Sequence, residues 1–237
     1  MVIQIVNTMK ILALSDSHNK HNEIPLKYLE NKDNSISMII HAGDVSGRGN
    51  KTEVRDFLDW FDSLNFYYKI FIAGNHDFFF EQAPEYEIEA LLAEYPNIIY
   101  LNDTNIMVEG FKIHGSPVTP YFFNWAFNRK GEEIKPHWDL IPDDCDILIS
   151  HGPPKGYLDK TLRDSNVGCP YLLEKINELN NLSCVIFGHI HEGYGDYKFG
   201  DNIWFFNASV LNLSYKMVNK PYIITFDDVT KKVINIE

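Results

Sequence analysis

The sequence contains five short apolar runs that each stop abruptly at a polar cluster. The runs are rich in Ile, Val and Phe, and continuous apolar runs of this length are typical of β-strands that are buried on both faces. We predict such strands at residues 10–14, 38–41, 67–72, 147–149 and 184–187. A chain that buries so many strands needs covering layers, so the pattern favours an α/β fold.

Stretches with helical periodicity separate the apolar runs. The predicted helices cover residues 51–64, 84–94 and 170–179. The first carries apolar residues at helical spacing, namely Val54, Phe57, Leu58 and Phe61. Pro84 can open the second helix as a residue of its first turn. Strands that alternate with helices indicate a largely parallel sheet in the first two thirds of the chain.

The last third of the sequence changes character. Short strand-like runs lie at residues 194–199, 203–207, 222–226 and 232–236, separated by turn-forming residues. We expect these runs to form an antiparallel set that closes a second sheet against the first. No repeat or linker interrupts the sequence, so we expect one domain spanning residues 1–237.

The acidic composition narrows the range of partners. The formal net charge is -12 at pH 7, whereas a protein that binds duplex nucleic acid needs clustered Lys and Arg. No apolar run approaches the roughly 20 residues that cross a bilayer, and the N-terminal segment lacks the pattern of a secretory signal. The three cysteines form no CxxC pair, which favours a reducing compartment. We therefore expect a cytoplasmic protein with neither a membrane nor duplex nucleic acid as partner.

Metal-competent side chains follow each of the five predicted strands. In parallel sheets, ligands bind beyond the carboxyl ends of the strands. Asp16 and His18 are two residues apart, as are His189 and His191, and in an extended chain such pairs point to the same side. Each fragment alone also occurs in turns, helix caps and surface loops, but five in order favour a metal site. The candidate ligands are Asp16, His18, Asp44, Asn75, His151, His189 and His191.

In this order, the polar clusters resemble the five blocks of the calcineurin-like metallophosphoesterases. The matching segments are Asp16-x-His18, Gly43-Asp44, Gly74-Asn75-His76-Asp77, His151-Gly152 and Gly188-His189-x-His191. The resemblance implies a four-layer α-β-β-α sandwich, in which two mixed β-sheets pack face to face between flanking helices. It also implies two divalent cations that share Asp44. The first would be held by Asp16, His18 and His191, and the second by Asn75, His151 and His189.

The resemblance also implies how the site would work. His76 would donate a proton to the leaving alkoxide, and Asp77 beside it is either a supporting partner or a turn residue. Arg48 either reaches the substrate phosphate or is a solvated loop residue. Protein Ser/Thr phosphatases of the superfamily carry Asp where Gly47 stands and Glu where Asp77 stands, which disfavours a protein substrate. Imidazole, carboxylate and amide ligands suit Mn²⁺, Fe²⁺, Co²⁺ or Zn²⁺, and family habit favours Mn²⁺.

Further segments resemble the metallophosphoesterase-domain-containing subfamily, whose animal members act as cyclic nucleotide phosphodiesterases. These segments are residues 150–156, 167–169, 191–195 and 207–209 and the aromatic stretch 123–128. Some members carry Gly where this chain has His189, so the second metal site of this chain is expected to be complete. The resemblance therefore implies a dinuclear phosphodiesterase that acts on small phosphoesters, cyclic nucleotides among them.

Alternatives to this function share the same residues. One is a phosphomonoesterase or nuclease on the same two-metal site, and another is a non-catalytic nucleotide-binding scaffold. His21 follows the first ligand pair closely and is a candidate pocket residue. An aromatic loop could stack a base, or it could serve as a hydrophobic lid or a dimer contact. Its aromatic residues are Tyr121, Phe122, Phe123, Trp125 and Phe127.

Overall fold

The computed structural model describes residues 8–32 and 34–237. The strands, in chain order, are β1 (Thr8–Leu14), β2 (Met38–Ala42), β3 (Tyr68–Ile72), β4 (Ile98–Tyr100), β5 (Thr104–Val108), β6 (Phe111–Ser116), β7 (Thr119–Pro120), β8 (Asn128–Arg129), β9 (Ile147–Ser150), β10 (Cys184–Phe187), β11 (Gly195–Phe199), β12 (Ile203–Asn207), β13 (Tyr222–Asp227) and β14 (Val233–Ile236). The α-helices are α1 (Leu26–Leu29), α2 (Lys51–Ser63), α3 (Phe78–Gln82), α4 (Glu85–Leu92), α5 (Lys135–Asp139) and α6 (Pro170–Glu178).

Two six-stranded mixed sheets form the centre of the molecule. The first has the order β14-β13-β1-β2-β3-β4, and the second has the order β11-β12-β10-β9-β6-β5. Strands β1 to β4 run parallel to one another, and so do β6, β9, β10 and β12. Antiparallel strands complete the edges of both sheets. The predicted pair of mixed sheets is therefore confirmed.

The alternation of side chains along each strand sorts the apolar residues into three cores. Ile11 and Ala13 of β1 face the second sheet, where they share a buried cluster with Ile147 of β9. Leu12, on the opposite face of β1, packs in a separate cluster with Phe57 of α2. On the outer face of the second sheet, apolar side chains pack against α5 and α6 in a third cluster. Three cores separate four layers, which confirms the predicted α-β-β-α sandwich.

The prediction for the last third of the chain was partly wrong. The hairpin of β11 and β12 joins the second sheet as expected, but β13 and β14 lie in the first sheet. Strand β13 pairs antiparallel with β1, from Thr8 opposite Asp227 to Ala13 opposite Tyr222. Tyr222 and Phe226 fill the core between the sheets from that side. Periodicity shows that a strand has a buried face, but it does not show which sheet supplies the partner.

Local details of the helices agree with the sequence to within a turn. Asn50 caps α2 by accepting a hydrogen bond from the backbone N–H of Glu53 at 3.0 Å. Pro84 precedes α4 as its cap residue, one position before the predicted first turn. Within residues 8–32 and 34–237, no helix is both long enough and apolar enough to cross a membrane.

Candidate metal centre

The carboxyl ends of five strands from both sheets meet at one edge of the sandwich. Each of these strands is followed by a predicted ligand within three residues. Because the strands that carry these ligands run parallel within each sheet, their carboxyl ends lie at the same edge and the ligands meet there. These ligands are Asp16 after β1, Asp44 after β2, Asn75 after β3, His151 after β9 and His189 after β10. All seven predicted ligands come together here, since His18 and His191 follow their neighbours into the same site.

Asp16, His18 and His191 form the first ligand cluster. The Nε2 atoms of the two histidines are 3.3 Å apart. Oδ1 of Asp16 lies 3.4 Å from Nε2 of His191 and 3.9 Å from Nε2 of His18. One ligand atom from each residue lies within 4.8 Å of the others. Two imidazoles and a carboxylate at these distances fit a first-row divalent cation.

Asp44, His151 and His189 form the second cluster, with Asn75 beside it. Their ligand atoms also lie within 4.8 Å of one another. Oδ1 of Asp44 is 3.3 Å from Nε2 of His151, and Oδ1 of Asn75 is 3.0 Å from the same nitrogen. The second oxygen of Asp44, Oδ2, lies 3.6 Å from Nε2 of His18 in the first cluster. Asp44 therefore presents one carboxylate oxygen to each cluster.

Backbone carbonyls orient the rings of two histidines of the clusters. Nδ1 of His151 lies 2.9 Å from the carbonyl oxygen of Ala42, and Nδ1 of His191 lies 3.1 Å from that of Asn212. A carbonyl oxygen only accepts hydrogen bonds, so each Nδ1 donates, and each Nε2 faces the cluster, where it offers a lone pair when the ring is neutral. This is the arrangement that metal-bound histidines adopt, and the donor set therefore fits divalent ions.

Two hydrogen-bond donors fix the carboxylate of Asp16. The backbone N–H of His189 donates to both carboxylate oxygens at 3.0 Å. The hydroxyl of Ser209 donates to Oδ2 at 2.8 Å. Ser209 lies in a segment that resembles the subfamily, but the sequence analysis gave it no role. The contact shows that this segment fixes a ligand of the first cluster.

The ligand pairs converge through turns and not through extended chain. Asp16, His18, Asp44 and His189 all have positive φ, between 41° and 68°. The expectation that extended i, i+2 pairs present two ligands to one side was therefore wrong, although the paired residues do meet. Left-handed backbone at side chains other than glycine is strained, and such strain is concentrated at functional sites. Gly188 allows the close approach, because a Cβ there would collide with Oδ2 of Asp16.

The buried charges of the site balance one another. Burial opposes ionisation of Asp44, but the adjacent His151 imidazolium holds the pKa of this carboxyl well below its ordinary value. Burial likewise opposes the charge on His151, yet Asp44 raises its pKa to about 9. Burial lowers the pKa of His189 to about 3 and that of His18 to about 4. His18 and His189 are therefore neutral imidazoles that are ready to bind a cation. Binding of a cation would release protons from His151 and His191, whose pKa values are raised.

His76 lies beside the two clusters and lines the same pocket. Its backbone N–H donates to Oδ1 of Asp44 at 2.8 Å, and its Nδ1–H donates to the carbonyl of Gly47 at 2.9 Å. The ring stacks on Trp125, with centroids 4.2 Å apart and planes 25° apart. A ligand-type atom of His76 also lies within 4.8 Å of those of His18 and Asp44. The ring is thus fixed beside both ligand clusters, at the wall of the pocket.

The pocket above the clusters has a volume of about 560 Å³. Tyr215 forms part of its wall, and its ring lies edge-on to His18 at 4.9 Å and to His191 at 5.7 Å. Tyr215 lies in a turn that carries no recognisable motif, so the sequence gives no sign of its place in the pocket. From the predicted aromatic loop, Tyr121, Phe122 and Trp125 line the pocket.

Asp77 lies beneath the site and does not line the pocket. Its carboxylate accepts hydrogen bonds from the backbone N–H groups of Val45, Ser46 and Gly74, at 3.1, 2.9 and 2.7 Å. Burial, followed by the nearby Asp44 carboxylate, raises the pKa of Asp77 to about 6. Asp77 therefore joins the loops after β2 and β3 that deliver two of the ligands.

Two other residues singled out in the sequence also lie outside the pocket lining. Arg48 is exposed, and its backbone N–H donates to Glu53 at 2.7 Å. His21 is fully buried behind the site, where its ring packs against Trp60 at 4.9 Å and its Nε2 lies 3.2 Å from Asp56. The structure brings neither side chain to the ligand clusters.

Replacement of Asp77 by Asn is expected to lower the free energy of unfolding by about 2–3 kcal/mol. The amide nitrogen would face N–H donors that now share a carboxylate, and a buried donor without an acceptor costs about 1–3 kcal/mol. Urea unfolding of the metal-free protein measures this loss. Asp143→Asn is the matched control, because the Asp143 side chain is 99% exposed. Equal stability of the two variants would contradict the bracing role of Asp77.

The comparisons with known proteins agree with this geometry. The family model described as calcineurin-like phosphoesterase matches residues 9–193. Metallophosphoesterase domain-containing protein 1 from Homo sapiens is 38% identical over 239 residues, which cover 91% of this chain and 70% of the human protein. The protein of the same name from Mus musculus matches to the same extent.

Solved structures support the fold. One crystal structure aligns with a TM-score of 0.70 at 18% identity, covering 98% of this chain and 99% of the other. The structure of TT1561 from Thermus thermophilus aligns with a TM-score of 0.61 at 16% identity, over 98% and 99% of the two chains. The matched family model spans more than half of the sequence and includes every residue of both ligand clusters. The chain therefore belongs to the calcineurin-like phosphoesterase family and is a metal-dependent phosphoesterase.

Proposed function

We propose that this protein hydrolyses small phosphodiesters, cyclic nucleotides among them, with two divalent cations bound side by side. The observation that carries the proposal is the position of Asp44, whose two carboxylate oxygens face different ligand clusters. A carboxylate placed in this way can bridge two cations, as in the two-metal sites that catalyse phosphoryl transfer. We further propose that residues 1–237 act as one domain, since the ligands come from both sheets.

Each proposed ion has a complete set of ligands. The first would be held by Asp16, His18, His191 and Asp44, and the second by Asn75, His151, His189 and Asp44. The set contains nitrogen and oxygen donors and no thiolate, which suits Mn²⁺, Fe²⁺, Co²⁺ and Zn²⁺. Mn²⁺ is the ion that we propose to test first. When bound, the two ions would polarise the phosphate and lower the pKa of a water molecule so that hydroxide is present near neutral pH.

The protein's own groups would position the substrate and move one proton. With its Nδ1–H bonded to Gly47, His76 has only Nε2 left to meet a substrate. As an imidazolium, it would transfer the Nε2 proton to the alkoxide oxygen that leaves phosphorus, and the bond to Gly47 would persist throughout. Stacking against Trp125 keeps the ring from turning away during this step. A positioned general acid of this kind typically contributes ~10²–10⁴-fold to the rate.

Removal of metal should abolish activity. Purified protein with added Mn²⁺ is expected to hydrolyse bis-p-nitrophenyl phosphate, to lose at least about 10³-fold of that rate after chelation, and to regain it when Mn²⁺ returns. Mass spectrometry of the loaded protein should find two ions per chain. Rapid turnover by chelated protein would contradict the proposal. Two bound ions without turnover of any phosphoester would instead favour a binding scaffold.

The class of ester can be decided in the same assay. A cyclic diester, a monoester and single-stranded DNA are compared at equal concentrations. The proposal expects the cyclic diester to be hydrolysed fastest. A faster monoester or DNA would assign the same site to a phosphomonoesterase or a nuclease.

A further inference from the structure

The pocket contains no Lys or Arg side chain among the described residues that line it. Two cationic residues that follow the aromatic loop are engaged outside the pocket lining. Arg129 is paired with Glu81 at 3.2 Å and donates to His137 at 3.0 Å. The Nζ atom of Lys130 lies over the aromatic ring of Tyr121, at 4.4 Å from the ring centroid. Among the residues that line the pocket, positive charge would therefore come from the histidines, together with the metal ions that the clusters would bind.

This distribution of charge favours substrates with few negative charges. A phosphodiester carries one negative charge, whereas a monoester carries up to two near neutral pH and a nucleoside polyphosphate carries more. An anionic group that enters a partly closed pocket needs a charged partner or remains poorly compensated. Only the phosphate over the metal centre would find such partners. A second phosphate group would lie against apolar side chains.

The remainder of the pocket forms an apolar wall, which we define as Phe122, Trp125, Val167, Ile190, Leu213 and Tyr215. The rings of Phe122 and Trp125 lie 6.5 Å apart, with planes 27° apart, so they continue the surface that stacks on His76. Two large apolar residues that adjoin pocket-lining residues in sequence are highly exposed. Phe123 is 78% exposed and Leu162 is 81% exposed. A concave pocket lined mainly by apolar and aromatic side chains is the usual form of a small-molecule site.

We propose that the pocket selects monoanionic phosphodiesters whose non-leaving ester group is apolar or aromatic. The apolar wall would bury this group while the phosphate lies on the metal centre. The proposal rests on the proposed phosphodiesterase function and adds to it the chemistry of the second ester group. It also states how that group is held, namely by burial and stacking and not by hydrogen bonds.

The wall supports this mode of binding because its polar side-chain atoms are limited to the Tyr215 hydroxyl and the Trp125 indole nitrogen. The rest of the pocket lining adds little to them outside the ligand clusters and His76. The Tyr121 hydroxyl already donates to Asn124 at 3.2 Å. Thr161 supplies a hydroxyl at the side of the pocket. A nucleobase edge carries several donors and acceptors, and a site that reads such an edge needs matching groups. A plain phenyl ring is therefore expected to bind as well as a nucleoside.

Three substrates with the same leaving group test the proposal. All are monoanions that release p-nitrophenolate, and they differ only in the second ester group, which is phenyl, methyl or 5′-thymidyl. The Mn²⁺-loaded protein is expected to show a kcat/KM for the phenyl ester about 10- to 100-fold above that for the methyl ester. The thymidyl ester should lie within about threefold of the phenyl ester. Equal values for phenyl and methyl would overturn the proposal, and so would a thymidyl ester tenfold better than the phenyl ester.

Substitutions in the apolar wall test which residues determine the preference for the phenyl ester over the methyl ester. Leu213→Ala and Val167→Ala should each reduce the phenyl-to-methyl ratio by about threefold or more, with metal content unchanged. Leu213→Lys should raise kcat/KM for p-nitrophenyl phosphate by supplying a cation for the second charge. Val229→Ala is the control, since Val229 is 85% exposed and outside the pocket lining. An unchanged ratio in both alanine variants would overturn the assignment of the wall.

A binding measurement separates failure of this inference from failure of the proposed function. Diphenyl phosphate and dimethyl phosphate are titrated calorimetrically into the Mn²⁺-loaded protein, whether or not the protein turns over any substrate. Diphenyl phosphate is expected to bind at least about tenfold more tightly. Equal affinities would refute the apolar wall even if diesters are hydrolysed. Tighter binding without hydrolysis would support the wall and refute only the proposed catalysis.

Discussion

Asp44→Asn should reduce the metal content from two ions to fewer than one per chain and lower kcat/KM for a phosphodiester by about 10³-fold or more. The two oxygens of Asp44 face different clusters, at 3.6 Å from His18 and 3.3 Å from His151. An amide offers one weakly donating oxygen in place of two anionic ones. Both ions would therefore lose affinity together, and the electrostatic stabilisation that they provide would be lost with them.

The Asn variant is preferred to Ala because it keeps the shape of a buried side chain. Metal content by mass spectrometry and kcat/KM for bis-p-nitrophenyl phosphate give the two readouts, and circular dichroism verifies the fold. Asp143→Asn serves again as an exposed control that should keep both ions and full activity. If the Asp44 variant retained two ions and a rate within tenfold of the original, Asp44 would not be the bridge.

His76→Gln should lower kcat for an alkyl phosphodiester by about 10²- to 10⁴-fold while both ions stay bound. Glutamine can bind a phosphate oxygen, but it cannot transfer a proton to a leaving alkoxide. The loss should therefore depend on the leaving group. It should be small for a p-nitrophenolate ester, whose leaving group needs no proton, and large for an alkyl ester such as a cyclic nucleotide.

The comparison of leaving groups decides between two roles of His76. Equal losses for both kinds of ester would mean that the side chain binds the phosphate without protonating the product. Trp125→Phe is the companion variant, because it retains an aromatic ring beside His76 but reduces the stacking surface. It should lower kcat for the alkyl ester more than for the nitrophenyl ester, in the same direction as His76→Gln but by a smaller factor.

The convergence of the candidate ligands could be predicted from the sequence because strand ends carry most of the information about this site. Each apolar run identified a buried strand, and parallel strands bring their carboxyl ends to one edge regardless of how the intervening chain folds. Asp44, Asn75 and His151 were therefore predictable from their positions alone. The backbone geometry was not, since Asp16 and His18 meet through left-handed turns.

Other parts of the site depend on long-range folding that no local pattern reveals. Trp125 reaches His76 because the aromatic loop folds back over the pocket, and Tyr215 reaches His18 from a turn almost 200 residues further along the chain. Ser209 supports Asp16 only because the chain after β12 crosses to the first sheet. The assignment of β13 and β14 failed for the same reason, since pairing partners far apart in sequence leave no periodic signal.

The origin of the candidate ligands in both sheets would tie the lifetime of the protein to the supply of the metal that we propose. Asp16, Asp44 and Asn75 extend from the first sheet, whereas His151 and His189 extend from the second. An ion bound by both groups acts as a cross-link between the halves of the sandwich, and it would add about 4 kcal/mol to stability at 1,000 times its Kd. Metal-starved chains would open more often and meet proteases sooner. The abundance of the enzyme in a cell would then follow the availability of its cofactor, without any change in the rate of its synthesis.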